Sequence, residues 1–108
     1  MKKASKITEL GMKKAFEFIK PGVRQNDLVS EIAGTLIKGT NEYGGDYSAI
    51  VPLLPTGKGT SASHLTWSDN KFVEGEATII ELSGVYRRYH CPMAVSYTHL
   101  TLPTIYSV

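Results

Sequence analysis

The chain has 108 residues, of which 42% are apolar and 20% are charged, with a formal net charge of +2. This length allows one small domain, and the interspersed charges give no support for a nucleic-acid partner. The single cysteine excludes an internal disulfide and a cysteine zinc cage. Because the sequence has neither a signal-peptide pattern nor an apolar run of membrane-spanning length, we expect a cytoplasmic protein with no membrane partner.

Two amphipathic helices are predicted in the first half of the chain. Apolar residues recur at three- and four-residue spacings over 4–20, which is the helical period. Pro21 and Gly22 end this helix. A second helix is predicted to start where Asn26 or Asp27 can cap the first free amides, and to end at the glycine-rich stretch 39–45.

The pattern then changes to strands. Residues 47–54 (YSAIVPLL) suit a strand, although the proline restricts it to an edge or a strand end. Residues 77–82 (ATIIEL) predict a strand, the Ser-Gly pair at 83–84 predicts a turn, and residues 85–91 predict the returning strand of a hairpin. Together these elements predict an α+β fold, with helices packed on one face of a mainly antiparallel sheet.

The end of the chain differs from the rest. Residues 95–108 (VSYTHLTLPTIYSV) contain no acid or base except a histidine. We therefore interpret residues 95–108 as a doubtful tail that is not native sequence, which leaves residues 1–94 as the domain. The alternative is a genuine terminal strand.

His64 and Glu81 are the first candidates for chemistry. His64 follows a loop of glycine and small hydroxyl residues, where catalytic side chains are commonly presented; alternatively, it binds a loop carbonyl. Glu81 lies in the most apolar strand, which we expect to be covered on both faces. Burying a carboxylate there costs free energy unless the group is paired with a cation, protonated or used in catalysis. Alternatively, this strand lies at the edge of the sheet and the Glu81 side chain faces water.

The returning strand carries further polar residues that approach Glu81 if the turn is tight, among them Tyr89 and His90. His90 and Cys91 are neighbours on a strand, so their side chains point to opposite faces and cannot readily share an ion. A zinc site needs three or four convergent ligands. We therefore expect no metal at these residues alone.

Three sequence features occur together in a specific order: PG…DLVSEI, a loop ending in His64, and KFVEGEATIIELSGVYRRY. In this order and spacing, residues 7–94 resemble the creatinase, methionine aminopeptidase and Xaa-Pro peptidase family, peptidase family M24. The resemblance implies that residues 1–94 are the N-terminal part of a creatinase/aminopeptidase-like catalytic domain. This part would be half of a pita-bread fold, with helices packed on a mainly antiparallel curved sheet. It also implies a catalytic or substrate-binding role for His64.

Two departures from the family pattern concern its metal site. The metallopeptidases of the family carry their first metal-binding aspartate where this chain has Glu81, and their second where it has Pro92. Proline has no side-chain ligand, so the resemblance implies that the dinuclear metal site is lost. It places the chain in the metal-free branch that includes creatinase, with no cofactor.

Within that branch, IVPLLPTGKGTSASHLTW and IIELSGVYRRYHCP resemble the ectoine hydrolases. The resemblance implies a hydrolase that cleaves a C–N bond in a small zwitterionic substrate, most specifically by opening the ring of ectoine. His64 would act as general acid–base, and Glu81 as base or covalent nucleophile. Trp67, Tyr89 and His90 would bind the substrate by lining the pocket around its cationic ring.

Two alternatives remain open. One is an Xaa-Pro metallopeptidase, against which Glu81 and especially Pro92 argue. The other is an inactive pita-bread domain or an incomplete gene product. Family members build their site across two halves, and the ligands of the second half are absent from this sequence. We therefore predict that the chain alone is inactive, and that a longer parent, expected to be a homodimer, carries the activity.

Overall fold

The computed structural model describes residues 2–61 and 65–98. In chain order they form helices α1 (Lys2–Phe18) and α2 (Gln25–Lys38), a short 3₁₀ helix (Gly57–Ser61), and strands β1 (Ala77–Tyr86) and β2 (Tyr89–Thr98), which pair in antiparallel fashion. The predicted α+β fold is confirmed. In the part of the chain that the structure describes, no helix is both long and apolar enough to cross a membrane.

The helices and the sheet share a single apolar core. α1 contributes Ile7 and Ala15, α2 contributes Leu28 and Ile32, and β1 contributes alternate residues. Burial of these side chains against one another is the main favourable term in folding. The fully buried core side chains from these elements and their connections include Ile7, Leu28, Ile32, Leu54, Phe72, Ile80, Leu82 and Val85.

The hairpin turn lies at Arg87 and Arg88, so the turn predicted at Ser83 and Gly84 is wrong. Both arginines have positive φ angles, 49° and 72°, as a two-residue turn between antiparallel strands requires. Ser83 and Gly84 instead continue β1 in register with β2. The returning strand therefore begins at Tyr89.

Gly84 has a different role, because it lets α1 approach the sheet more closely than a side chain would allow. A Cβ atom on Gly84 would lie 2.6 Å from the backbone N of Thr8 and 2.8 Å from the carbonyl O of Ala4. The fully buried Thr8 hydroxyl accepts a hydrogen bond from the Gly84 N–H at 2.9 Å. It donates one to the Cys91 carbonyl at 2.6 Å. One hydroxyl thus connects α1 to both strands.

β1 has a second neighbour on the side away from β2. Leu53 and Glu81 exchange two backbone hydrogen bonds, of 2.8 and 3.0 Å, and the Ile79 N–H donates to the Pro55 carbonyl at 3.0 Å. The strand predicted over 47–54 is otherwise not formed, since among the described residues this segment makes one isolated bridge to β1, between Leu53 and Glu81. Pro52 within the segment and Pro55 directly after it lack the N–H groups that a regular ladder needs. β1 is therefore the central one of three extended segments.

The start of α2 also differs from the prediction. The helix begins at Gln25 with Arg24 as its N-cap residue, and no side chain caps it. Asn26 and Asp27 already lie inside the helix, and the Asp27 carboxylate instead accepts hydrogen bonds of 3.1 and 2.9 Å from the Arg24 guanidinium. These bonds lower the pKa of the Asp27 carboxyl.

The doubtful tail divides into two parts. Its first residues belong to β2, which runs through Thr98. Val95 pairs with Ile80, and both Val95 and Tyr97 pack against the core. Residues 95–98 therefore form the end of β2. Residues 99–108 lie outside the described residues.

We expect Gly84→Ala to destabilise the chain, because the added methyl group would meet backbone atoms of α1 that cannot move aside independently. Overpacking of this kind costs about 1–3 kcal/mol. Gly34→Ala is the matched control, since among the described residues no atom outside its own helical backbone lies within 4 Å of its added Cβ. Alanine is more favourable than glycine within a helix, so this variant should raise the free energy of unfolding by about 0.5–1 kcal/mol. Urea unfolding followed by circular dichroism measures both, and equal stabilities for Gly84→Ala and the parent chain would contradict the close-contact role.

Candidate functional site

Glu81 lies on the face of β1 opposite the helical core. Side chains alternate along a strand. Ile80 and Leu82 are fully buried, whereas Ile79 and Glu81 are half-buried. The face that carries Glu81 is thus partly open at Ile79 and Glu81 but covered at Ser83 and Val85, so β1 is covered on both faces only over its second half. It is not an edge strand either. Glu81 sits at the centre of a partly open sheet surface.

The hairpin register defines the neighbours of Glu81 on this face. Ala94 lies directly opposite Glu81, and Pro92 lies opposite Ser83. Pro92 is therefore a diagonal neighbour of Glu81 on the same face, with a Cα separation of about 7–8 Å. A carboxylate at position 92 could share an ion with Glu81, whereas proline offers no ligand. Among residues 2–61 and 65–98, no three His, Cys, Asp or Glu side chains form a metal-binding group. The donors on this face do not fit a dinuclear metal centre.

His64, the second predicted catalytic residue, lies outside the described residues. The chain on its C-terminal side is fixed, because the Leu65 carbonyl accepts a hydrogen bond of 2.8 Å from the Leu54 N–H. Leu54 directly follows Leu53, the backbone partner of Glu81. The loop therefore returns beside the extended segment that flanks the central strand.

Trp67 stands in a second location, on the loop that follows Leu65. Its side chain is 37% exposed and lines a cavity of about 260 Å³ together with Gln25, Pro55 and Ser68. The Ser68 N–H donates to Gln25 Oε1 at 3.0 Å, and the Gln25 N–H donates to the Asn70 carbonyl at 2.9 Å. Gln25 thus holds the Trp67 loop against α2. Sequence reasoning missed this residue, because a lone glutamine at a helix start matches no motif.

Tyr89 and His90 lie at the tip of the hairpin, away from Glu81. His90 pairs with Val85, which is about 13 Å from Glu81 along the strand at about 3.3 Å per residue. Tyr89 is 59% exposed and lies on the face of the hairpin opposite to Glu81. His90 Nε2 accepts a hydrogen bond of 3.1 Å from the Ala49 N–H. The structure therefore does not bring these two residues to Glu81.

The family model for metallopeptidase family M24 matches residues 1–104. The chain is 48% identical over 99 residues to a protein of Halomonas elongata named ectoine hydrolase, covering 87% of this chain and 25% of that protein. It is 37% identical over 94 residues to the uncharacterized hydrolase/peptidase y4tM of Sinorhizobium fredii, covering 87% of this chain and 24% of that protein.

Solved structures with the same fold include prolidases. The prolidase of Thermococcus sibiricus superposes with a TM-score of 0.79 at 23% identity, covering 93% of this chain and 26% of that one. The prolidase of Pyrococcus furiosus gives 0.76 at 19% identity, covering 89% and 27%. These likenesses confirm the predicted half of a pita-bread fold. The chain spans about a quarter of the length of the curated relatives described above.

We expect Pro92→Asp to create a cation site with Glu81, because it places a second carboxylate diagonally across the same sheet face. NMR spectra of the 108-residue chain would show Mn²⁺ broadening centred on positions 81 and 92. The parent chain and the double variant Glu81→Gln/Pro92→Asp serve as controls that lack one carboxylate of the pair. Equal broadening in all three chains would contradict the deduced geometry.

Proposed function

The chain belongs to metallopeptidase family M24, and we propose that it forms part of a longer hydrolase that opens the ring of ectoine without a metal ion. The observation that supports metal-free hydrolysis is the residue at position 92. Glu81 has a proline as its diagonal neighbour, where a second carboxylate would be needed to share an ion. The 48% identity to the ectoine hydrolase of Halomonas elongata supports the choice of substrate.

In the proposed reaction, one water molecule adds to the amidine carbon of the ring. Glu81 pairs with the cationic amidinium and accepts a proton from the water as the C–O bond forms. The proton then passes to the ring nitrogen as the C–N bond breaks, while the hydroxyl of the adduct loses its proton and becomes the amide carbonyl. The released amine takes up that second proton, which yields an acetylated diaminobutyrate. His64 acts as the second proton-transfer group. Such general acid–base catalysis contributes about 10²–10⁴-fold in rate. Covalent attack by Glu81 followed by hydrolysis is the alternative route.

Trp67 completes the proposed site by contacting the substrate, since an indole face attracts a cation within about 6 Å. Tyr89 and His90 are not included in this proposal. His90 is engaged with the Ala49 amide, and Tyr89 is exposed at the hairpin tip. Their sequence-based assignment to the substrate pocket therefore has no supporting contact in the part of the chain that the structure describes.

An Xaa-Pro metallopeptidase is the competing function. Such an activity needs a metal-activated water, and positions 81 and 92 do not supply its paired carboxylates. The prolidases described above are less than 25% identical to this chain, so their likeness shows the fold and not the activity. We further propose that the 108-residue chain is inactive by itself, because it spans a quarter of its curated relative.

The longer parent protein tests the function directly. Purified protein is assayed with ectoine and with an Xaa-Pro dipeptide, after chelation and after metal loading. We expect ring opening that survives chelation and falls by about 10²–10⁴-fold in Glu81→Gln and in His64→Ala.

Glu74→Gln removes a carboxylate at an exposed position and should leave the rate unchanged, which separates a specific loss at Glu81 from a general loss of charge. Dipeptide cleavage that requires added metal, without ectoine turnover, would overturn the proposal in favour of the peptidase. Turnover by the 108-residue chain would contradict its proposed inactivity.

A further inference from the structure

The cavity beside Trp67 has the features of a small-molecule site. Its volume of about 260 Å³ lies just below the range of about 300–1,000 Å³ that is usual for ligand pockets, so it suits a compact ligand. Leu54, Pro55 and the Trp67 ring provide apolar walls, and Gln25 and Ser68 add polar groups. This combination of apolar walls with a few fixed polar groups is typical of ligand recognition.

Gln25 supplies a fixed donor to this cavity. The residue is only 8% exposed. The Ser68 N–H can bond only to the oxygen of the amide, so the 3.0 Å contact with Oε1 determines which way the amide faces. Nε2 is left with two N–H donors, and within residues 2–61 and 65–98 it has no hydrogen-bond acceptor. Because Gln25 lines the cavity, an oxygen atom of a ligand can accept from it.

The surrounding backbone holds this donor in place before any ligand arrives. The Gln25 N–H bonds to the Asn70 carbonyl at 2.9 Å, and Arg24 forms a bridge with Lys71. The Ser68 hydroxyl accepts from the Asn70 N–H at 3.1 Å, so its own proton is available as a second donor. A donor set that is already ordered loses little conformational entropy on binding.

We propose that this cavity is a subsite for a compact zwitterion, with its carboxylate bound by Gln25 Nε2 and its planar cationic part on the Trp67 ring. The inference rests on the proposed function, because ectoine has both groups, and it identifies the residue that binds the substrate carboxylate. A carboxylate accepts strong hydrogen bonds, and a cation is attracted to an indole face. Gln25 and Trp67 present these two complementary partners within one cavity.

Trp67 is the only tryptophan of the chain, so its fluorescence reports directly on the cavity. The 108-residue chain is titrated with ectoine, with isobutyrate as a carboxylate alone, and with isobutylamine as a cation alone. We expect ectoine and isobutyrate to change Trp67 emission and to shift the NMR signals of the Gln25 side-chain amide protons. Isobutylamine should leave the Gln25 signals in place.

The variant Gln25→Glu removes the Nε2 donor but keeps the contact with the Ser68 N–H. The variant keeps an oxygen for the Ser68 N–H but replaces the Nε2 donor with a negatively charged oxygen. It should raise the apparent Kd for ectoine at least tenfold. Asn41→Asp makes the same change of charge at an exposed position and should leave the Kd unchanged.

Equal ectoine affinities for the parent chain and Gln25→Glu would overturn the subsite. So would Gln25 amide signals that no probe shifts, a result that needs no variant to fold. A Gln25-dependent response to isobutyrate without any response to ectoine would support the carboxylate contact and count against ectoine as the ligand. Ectoine turnover by the longer parent is measured separately, so failure of the subsite and failure of the proposed function are distinguishable.

Discussion

The close approach of α1 to the hairpin is the constraint on which the rest of the structure depends. It needs two residues far apart in sequence: Gly84, which leaves no room for a side chain, and Thr8, whose buried hydroxyl contacts both strands. The Thr8 hydroxyl is the acceptor for the buried Gly84 N–H. A buried donor left without a partner costs about 1–3 kcal/mol, so this contact favours the placement of Gly84 against the helix. With Gly84 against α1, alternation along β1 turns Glu81 to the opposite face.

The same alternation determines the surroundings of Glu81. The helices cover one face of the sheet and bury Ile80 and Leu82, and on the opposite face Ile79 and Glu81 remain half-buried. Pro92 lies beside Glu81, at the position from which a second carboxylate could reach the same ion. The chain thus has the family's fold without a carboxylate at position 92, and our proposal of proton transfer or covalent attack by Glu81 rests on this difference.

The α+β class, both helices and the strand that carries Glu81 could be predicted from sequence, because periodicity and apolar runs report local burial. The turn could not. Ser83 and Gly84 have the composition of a turn, but Gly84 is there for a tertiary contact with α1, whereas Arg87 and Arg88 carry no turn signal and adopt positive φ angles. Because the turn lies farther along the chain than predicted, the pairing of the two strands also differs from the prediction. Tyr89 and His90 therefore lie farther from Glu81 than the sequence indicated. Gln25 was missed for a related reason, since its partner Ser68 is distant in sequence.

Metal binding by the longer parent protein is the most direct measurement of the central claim. Calorimetric titrations of Mn²⁺, Co²⁺ and Zn²⁺ into the chelated protein report the number of ions bound, independently of any substrate. We predict no saturable binding of an ion pair, because Pro92 removes one of the paired carboxylates. Saturable binding of two ions per chain would contradict metal-free hydrolysis and favour a metallopeptidase.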